Sequence, residues 1–466
     1  MISLDAITKL LTDFFANPVD IIIFRLFLVF GWAIFVWLLL FLGIYFYVEY
    51  RQEKYKKDWN WVLLAIDIPA NNEQSPKAVE QLFAHLAGAL NEPDIAEKYR
   101  GGFVQRWFSF EIVSIDGYIQ FLVRTEESLR DLVEAAMYAQ YPGAEIIEVE
   151  DYTSTVPTTF PNNEYDVWAA DFGLAENSAY PLRTYRDFEH SVAKTEVTSL
   201  RDPMSAFLES FSRISQGEQM WFQILISPVS NKWKENAIKK IKEMIGEKSS
   251  SSKTFGDLIS DVPLKFLQGI GDQLSSTESV PARPEPANKL SMMTPGQVKL
   301  VEAMEDKISK IGFKTKMRGV YLARKEVFKP GRGVSALMGA INQFNVPSAN
   351  SLVPKSGVGA SYFFTGSRSN TKKTNLMTAY KKRKISAGSD PFILNIEELA
   401  TIWHFPISTV KTPLLQKSEG KRAEPPISLP MENIFKSNVL EEVTEIKNSF
   451  KTDAGDFGYG SDENFG

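Results

Sequence analysis

Cysteine is absent from the 466 residues, and histidine occurs three times, at His85, His190 and His404. Disulfide frameworks, cysteine nucleophiles and thiolate metal sites are thereby excluded. Three widely spaced histidines give neither H-E-x-x-H nor another ligand spacing. The lack of cysteine suits either side of a membrane and fixes no redox compartment. A phosphate-cradling G-x-x-x-x-G-K-[ST] loop is missing too. The nearest stretch, Gly366 to Thr374, carries Thr371 where the second glycine belongs. Gly331 to Ala336 imitates a dinucleotide fingerprint, but no acidic residue stands between Glu326 and Asp390 to hold a ribose. The carboxylate pairs Glu126-Glu127 and Glu397-Glu398 fall at expected helix starts, where acidic groups favour the positive end of the helix dipole, with Asn395 as an N-cap. No Ser-His-Asp signature is present. His404, between Trp403 and Phe405, reads as a packed histidine. These absences predict a protein that is not an enzyme and has no cofactor or metal.

What is present begins with a long apolar run. Leu26 to Val48 is 23 residues without a charge. At ~1.5 Å per residue it extends about 35 Å, enough to cross a ~30 Å hydrocarbon core. Trp32, Trp37, Tyr45 and Tyr47 supply interfacial anchors. A signal peptide would carry a basic flank before a shorter run, whereas Asp5, Asp13 and Asp20 precede this one. We therefore expect a transmembrane helix over 19–50 behind a short segment, 1–18. Arg51, Lys54, Lys56 and Lys57 follow the run and only Lys9 and Arg25 precede it, so the positive-inside rule places the bulk of the chain in the cytoplasm.

Hydrophobic periodicity organises the remainder. Strand patterns at 61–68, 107–115, 118–124 and 145–150 alternate with helical ones at 76–90 and 126–140, and Asp116-Gly117 marks a hairpin turn. The order is βαββαβ, which predicts a ferredoxin-like module over 59–152. A second such module is expected over 164–246 and 295–345. Its strands fall at 165–172, 219–227 and 313–328, and its helices at 203–214, 231–246, 295–311 and 334–344. A Ser/Gly/Pro-rich stretch, 247–294, splits it as a disordered insert. The fold class is thus α+β: one transmembrane helix, then two ferredoxin-like modules. A basic, proline-containing segment (346–430) and an acidic, disordered tail (431–466) complete the chain.

Charge is uneven. Residues 58–190 carry 8 basic and 23 acidic side chains; residues 299–390 carry 18 basic and 5 acidic. The basic region is suited to the acidic one, to anionic lipid headgroups, or to the phosphates of nucleic acid, with Phe344, Tyr362, Phe363, Phe364 and Tyr380 available for stacking. Arg324, Lys325, Lys329, Arg332 and the run Lys381, Lys382, Arg383, Lys384 are the candidate phosphate or lipid contacts.

Two stretches carry a resemblance. Residues 109–152 and 392–430, with VYLARKEVFKPGRGVSALMGAINQFN at 320–345 between them, resemble the membrane-anchored N-terminal half of bacterial type IV secretion and conjugative DNA-transfer ATPases. The strings E-E-L-A-T-I-W-H-F-P and R-A-E-P-P are the most specific part. In that family a RecA-like motor follows; the 36 residues after Pro430 match none of its motifs. The resemblance implies a bacterial inner-membrane platform that docks a separate ATPase or channel subunit, as a possible homo-oligomer. Glu397, His404, Arg422 and Glu424 would lie where platform meets motor. The alternative from composition is a membrane-tethered nucleic-acid-binding protein using 299–390.

Overall fold

In the computed structural model the described residues are 18–69, 71–191, 198–200, 202–245 and 293–407. The chain enters through helix α1 (Val19–Lys56). Within Gly31–Lys56 of α1 the most apolar 18-residue stretch has a mean hydropathy of 2.1, and none of that stretch is buried against the rest of the protein. Among the described residues this is one helix long and apolar enough to cross a membrane, a test that a signal sequence also meets. A cluster of Trp59, Trp61 and Trp107, with ring centroids 5.1–5.7 Å apart, joins α1 to the fold. Arg51 on its last turns donates to the carbonyl of Arg100.

The first half comprises β1 (Trp61–Asp67), α2 (Pro76–Leu86), β2 (Phe108–Ile115), β3 (Tyr118–Glu126), α3 (Arg130–Gln140) and β4 (Glu145–Glu148). Ser75 precedes Pro76, whose fixed φ suits a first helical position. Asp116 and Gly117 both take positive φ in the β2–β3 turn, as the pattern predicts. The second half comprises β5 (Tyr165–Leu174), the small ribbon β6 (Glu189–Ser191) and β7 (Thr198–Leu200), α4 (Met204–Ser212) and β8 (Glu218–Pro228). It continues with α5 (Trp233–Ile245), α6 (Pro295–Ser309), β9 (Gly312–Arg324), α7 (Pro330–Asn342) and β10 (Leu352–Gly357). The chain then adds α8 (Thr365–Lys381), β11 (Phe392–Asn395) and α9 (Ile396–Ile402).

One antiparallel sheet runs through both halves in the order β10-β5-β9-β8-β2-β3-β1-β4, with β11 pairing against the start of β9. Each half contributes its strands in the order fourth, first, third, second, and the two meet where β2 pairs β8. α5 and α6 stand where a hairpin turn would join β8 to β9 and pack through Ala237, Ile241, Val301 and Met304. The strand completing the second half, β10, lies at 352–357, inside the segment that sequence reading assigns to the connection. The insert expected over 247–294, except for its last two residues, and the tail expected over 431–466 lie outside the described residues.

Alternation along the strands separates two faces. Phe110, Ile112, Phe121, Phe222, Ile224 and Met317 face helices α2, α3, α4, α7 and α9. Val113, Leu122, Val167, Trp221 and Val320 face α8 and the 156–160 segment. Trp403, just beyond α9, fixes the stretch that follows this helix into the core of the first half. Its ring lies 4.8–6.5 Å from those of Phe83, Phe110, Phe121 and Phe405.

Candidate functional site

The register places a polar row in the middle of the α8 face. Glu111 on β2 lies opposite Gln223 on β8, Gln223 opposite Arg318 on β9, and Arg318 opposite Asp171 on β5. All four are buried. Arg318 Nε donates to Asp171 at 2.8 Å and its other nitrogens reach Gln223 and the carbonyls of Ala379 and Ala387. Lys316 lies 3.4 Å from Asp171. Arg383 closes the row from above. Its Nε donates to Glu111 Oε1 at 3.0 Å and a second nitrogen to Oε2 at 3.1 Å, a bidentate fork, while it also pairs with Asp151. Ser109, Gln223 and Tyr152 complete the shell of Glu111, and Tyr152 shares a 2.8 Å hydrogen bond with Tyr380. Burial alone would raise the Glu111 carboxyl; the adjoining guanidinium and the donors of Ser109 and Gln223 hold it below the ordinary carboxylate range. The row is a polar clamp that ties α8 and the turn after it across the junction of the two halves.

This corrects one expectation. Arg383, read as a phosphate or lipid contact, is fully buried as the partner of Glu111. Its neighbours divide. Lys381 donates to the carbonyl of Val156, whereas Lys382 and Lys384 are exposed. Arg324, Lys325, Lys329 and Arg332 are exposed and gather where β9 ends and α7 begins, away from the turn after α8. Arg332 is held there by the buried Glu218, which also accepts from Tyr321 at 2.5 Å. Burial and that bond push the Tyr321 phenol up to about 12. The eight basic candidates therefore form no single surface.

The docking candidates are also redistributed. His404 is buried, its Nε2 2.9 Å from Asp202 and its Nδ1 2.8 Å from the carbonyl of Ala400. Burial raises the Asp202 carboxyl, but His404 and two backbone N–H groups bring it below its ordinary value. Glu397 is 1% exposed and borders a cleft of about 760 Å³ between the 181–187 segment, the first turns of α6 and the start of α9. It pairs with Lys310 and lies 3.2 Å from Arg186. Beside it Glu398 accepts from Lys307 at 3.0 Å and from the backbone of Leu182 at 2.8 Å, and it closes a capping box with Asn395. Desolvation lowers the Lys307 ammonium, and Glu398 opposes the shift. The pair Glu126-Glu127 stands at a helix start as expected: Glu126 ends β3, paired with Arg106 at 2.9 Å, and Glu127 begins the 3-10 turn Glu127–Leu129 that leads into α3. Arg422 and Glu424 lie outside the described residues.

Sequence reasoning missed the partners of these groups, Glu111, Asp171, Asp202 and Lys307. The detectable signal was Glu111 and Asp171, single charges inside otherwise apolar strand patterns; their arginine partners lie 272 and 147 residues away, beyond the reach of any spacing rule. Among the described residues no group of three or more metal-ligating side chains converges.

No curated protein matches the chain. The family described as Domain of unknown function (DUF8128) matches residues 52–418, from the last turn of α1 to beyond α9, and the chain belongs to that family.

Proposed function

We propose that the protein is a non-enzymatic, single-pass membrane platform of a type IV secretion- or conjugation-like translocation machine, built from two ferredoxin-like repeats. The observation that carries this reading is the direct passage of α1 into one continuous sheet made of two like halves. The fourth-first-third-second strand order of each half supports the ferredoxin-like assignment. Such a unit makes a stiff base on a membrane stalk. The buried Glu111, Asp171, Asp202 and Glu398 each bond to a cation or a histidine of the fold, which suits ties that hold shape. The basic residues at the end of α1 support a reading in which the sheet lies on the cytoplasmic side of a bacterial membrane. The Glu397 cleft, at the start of α9, is the surface assigned to a separate ATPase or channel subunit.

Affinity purification of crosslinked protein from its own membranes tests the proposal. Recovery of a secretion-type ATPase, reduced when cleft-rim Lys299 and Asp306 are both reversed in charge, is the expected result. Recovery of nucleic acid without an ATPase, or of the protein alone, overturns it.

A further inference from the structure

Tyr362, Phe363 and Phe364 stand between β10 and α8, each 84–85% exposed. Three consecutive aromatics in water are unfavourable, and here the backbone is bent to present them. Tyr362 has φ +70° and Phe364 has φ +55°. The left-handed region costs a bulky residue about 1–2 kcal/mol, and such strain persists where surrounding structure enforces it. That structure is the first part of α8. Ser369 donates to the carbonyl of Val358 at 2.9 Å, Lys372 to that of Gly359 at 2.5 Å, and Arg368 to that of Ser361 at 3.0 Å. The loop is thus an uncharged aromatic tip, its base carbonyls satisfied, with cations set behind it. No acidic residue occurs between Glu326 and Asp390.

We propose that this loop is a second membrane contact, in which Tyr362, Phe363 and Phe364 enter the interface of an anionic bilayer and Lys355, Arg368 and Lys372 meet its headgroups. Aromatic groups favour that depth, and basic groups are attracted to the anionic leaflet. Stacked nucleobases would bring phosphates close to the rings and call for cations among them. Here Arg368 and Lys372 stand behind the rings, not among them, each spending one donor on a loop carbonyl and keeping the others for headgroups. The proposal rests on the membrane reading of α1, and it adds an orientation. β10 is the edge strand opposite β4, and it runs toward the end of the sheet away from α1. The two contacts are separated by about 30 Å across the strands and about 20 Å along them, from ~4.8 Å per strand and ~3.3 Å per residue. Anchored at both, the sheet lies along the membrane and cannot swing on its stalk.

The absence of cysteine makes an introduced one unique. The full chain carrying Phe363→Cys or, separately, Leu40→Cys is labelled with an environment-sensitive nitrobenzoxadiazole and reconstituted in phosphatidylglycerol-containing nanodiscs, with and without spin-labelled lipid. The label at 363 is expected to shift to the blue and to lose about half its emission to the spin label, as a group seated ~5–10 Å into the interface would. Replacing Tyr362 and Phe364 by Ser in the same chain is expected to abolish that quenching while leaving thermal unfolding unchanged, because both side chains are exposed. A quenched label at 40 with a water-exposed label at 363 overturns the loop contact alone. No quenching at either site overturns the membrane reading of α1 as well. Protection at 363 that needs added single-stranded DNA, or that appears without lipid quenching, assigns the tip to nucleic acid or protein and refutes the proposal.

Discussion

Removing the guanidinium of Arg383 isolates the clamp at the junction of the halves. Arg383 and Glu111 are both fully buried and joined by two hydrogen bonds of 3.0 and 3.1 Å. Arg383→Met leaves Glu111 with neutral donors from Ser109, Gln223 and Tyr152 but without its counter-charge. Breaking one side of a buried pair costs about 3–5 kcal/mol. In a fold of this size that corresponds to a fall in Tm of roughly 6–10 °C, at about 2 °C per kcal/mol. The pH dependence is the sharper test. In the native protein Glu111 titrates below its ordinary value of 4.5, so its stabilising effect is complete above that value and lost as pH falls through the lower native one. Without Arg383, burial dominates and lifts the carboxyl above that value. The native state then binds the extra proton, and stability rises as pH falls toward the ordinary value of 4.5. Thermal unfolding in nanodiscs, followed by tryptophan emission, reads both effects, since Trp221 lies 5.3 Å from Tyr380 beside the clamp. Arg383→Met with Glu111→Leu is expected to lose less than Arg383→Met alone. A loss below about 1 kcal/mol, the range of exposed pairs, or a single mutant with the same pH slope as the native protein, would refute the reasoning.

Gly388 has φ +84°, and a Cβ there would stand 1.7 Å from Asp171 Oδ2. Gly388→Ala is therefore expected to break the Asp171–Arg318 contact and lower Tm more than Gly339→Ala, where the added carbon meets nothing within 4 Å; equal effects contradict this. Trp403→Ala should cost about 3–5 kcal/mol, as large core truncations do, although the residue is 342 positions from the start of β1; denaturant titration measures it. Burial raises Glu111, Asp151 and Asp202, but Arg383 and His404 bring each below its ordinary value. Their stabilisation should hold down to about pH 5 and fade below about pH 4, where the unfolded chain takes up more protons; a Tm that is flat to about pH 2 excludes it.

Much of the fold is legible because local physics decides it. The Asp116-Gly117 turn tolerates positive φ at both positions, Asn395 caps α9, and Pro330 and Pro295 sit where a helix starts. Pairing between distant strands is less legible. β10 carries Pro354 and a register shift, so its pattern is weak, and only its pairing with β5 reveals it as a strand. The run at 381–384 reads as one cationic surface because four basic residues adjoin, yet the turn after α8 buries the third against a carboxylate 272 residues earlier. Charge counting registers abundance, whereas burial depends on which strands a loop crosses. The Tyr362–Phe364 tip shows the converse: its aromatics match a core pattern in sequence, and backbone conformation alone turns them outward.

The central claim is that α1 stays in the bilayer and holds the sheet at its surface. Intact-mass measurement of the protein extracted from alkaline-washed native membranes tests it most directly. A membrane-retained species whose mass includes the residues of α1 is predicted. A shorter species cleaved within or just after α1 and released by the wash would contradict it, making the apolar helix a removed signal and the sheet an unanchored domain.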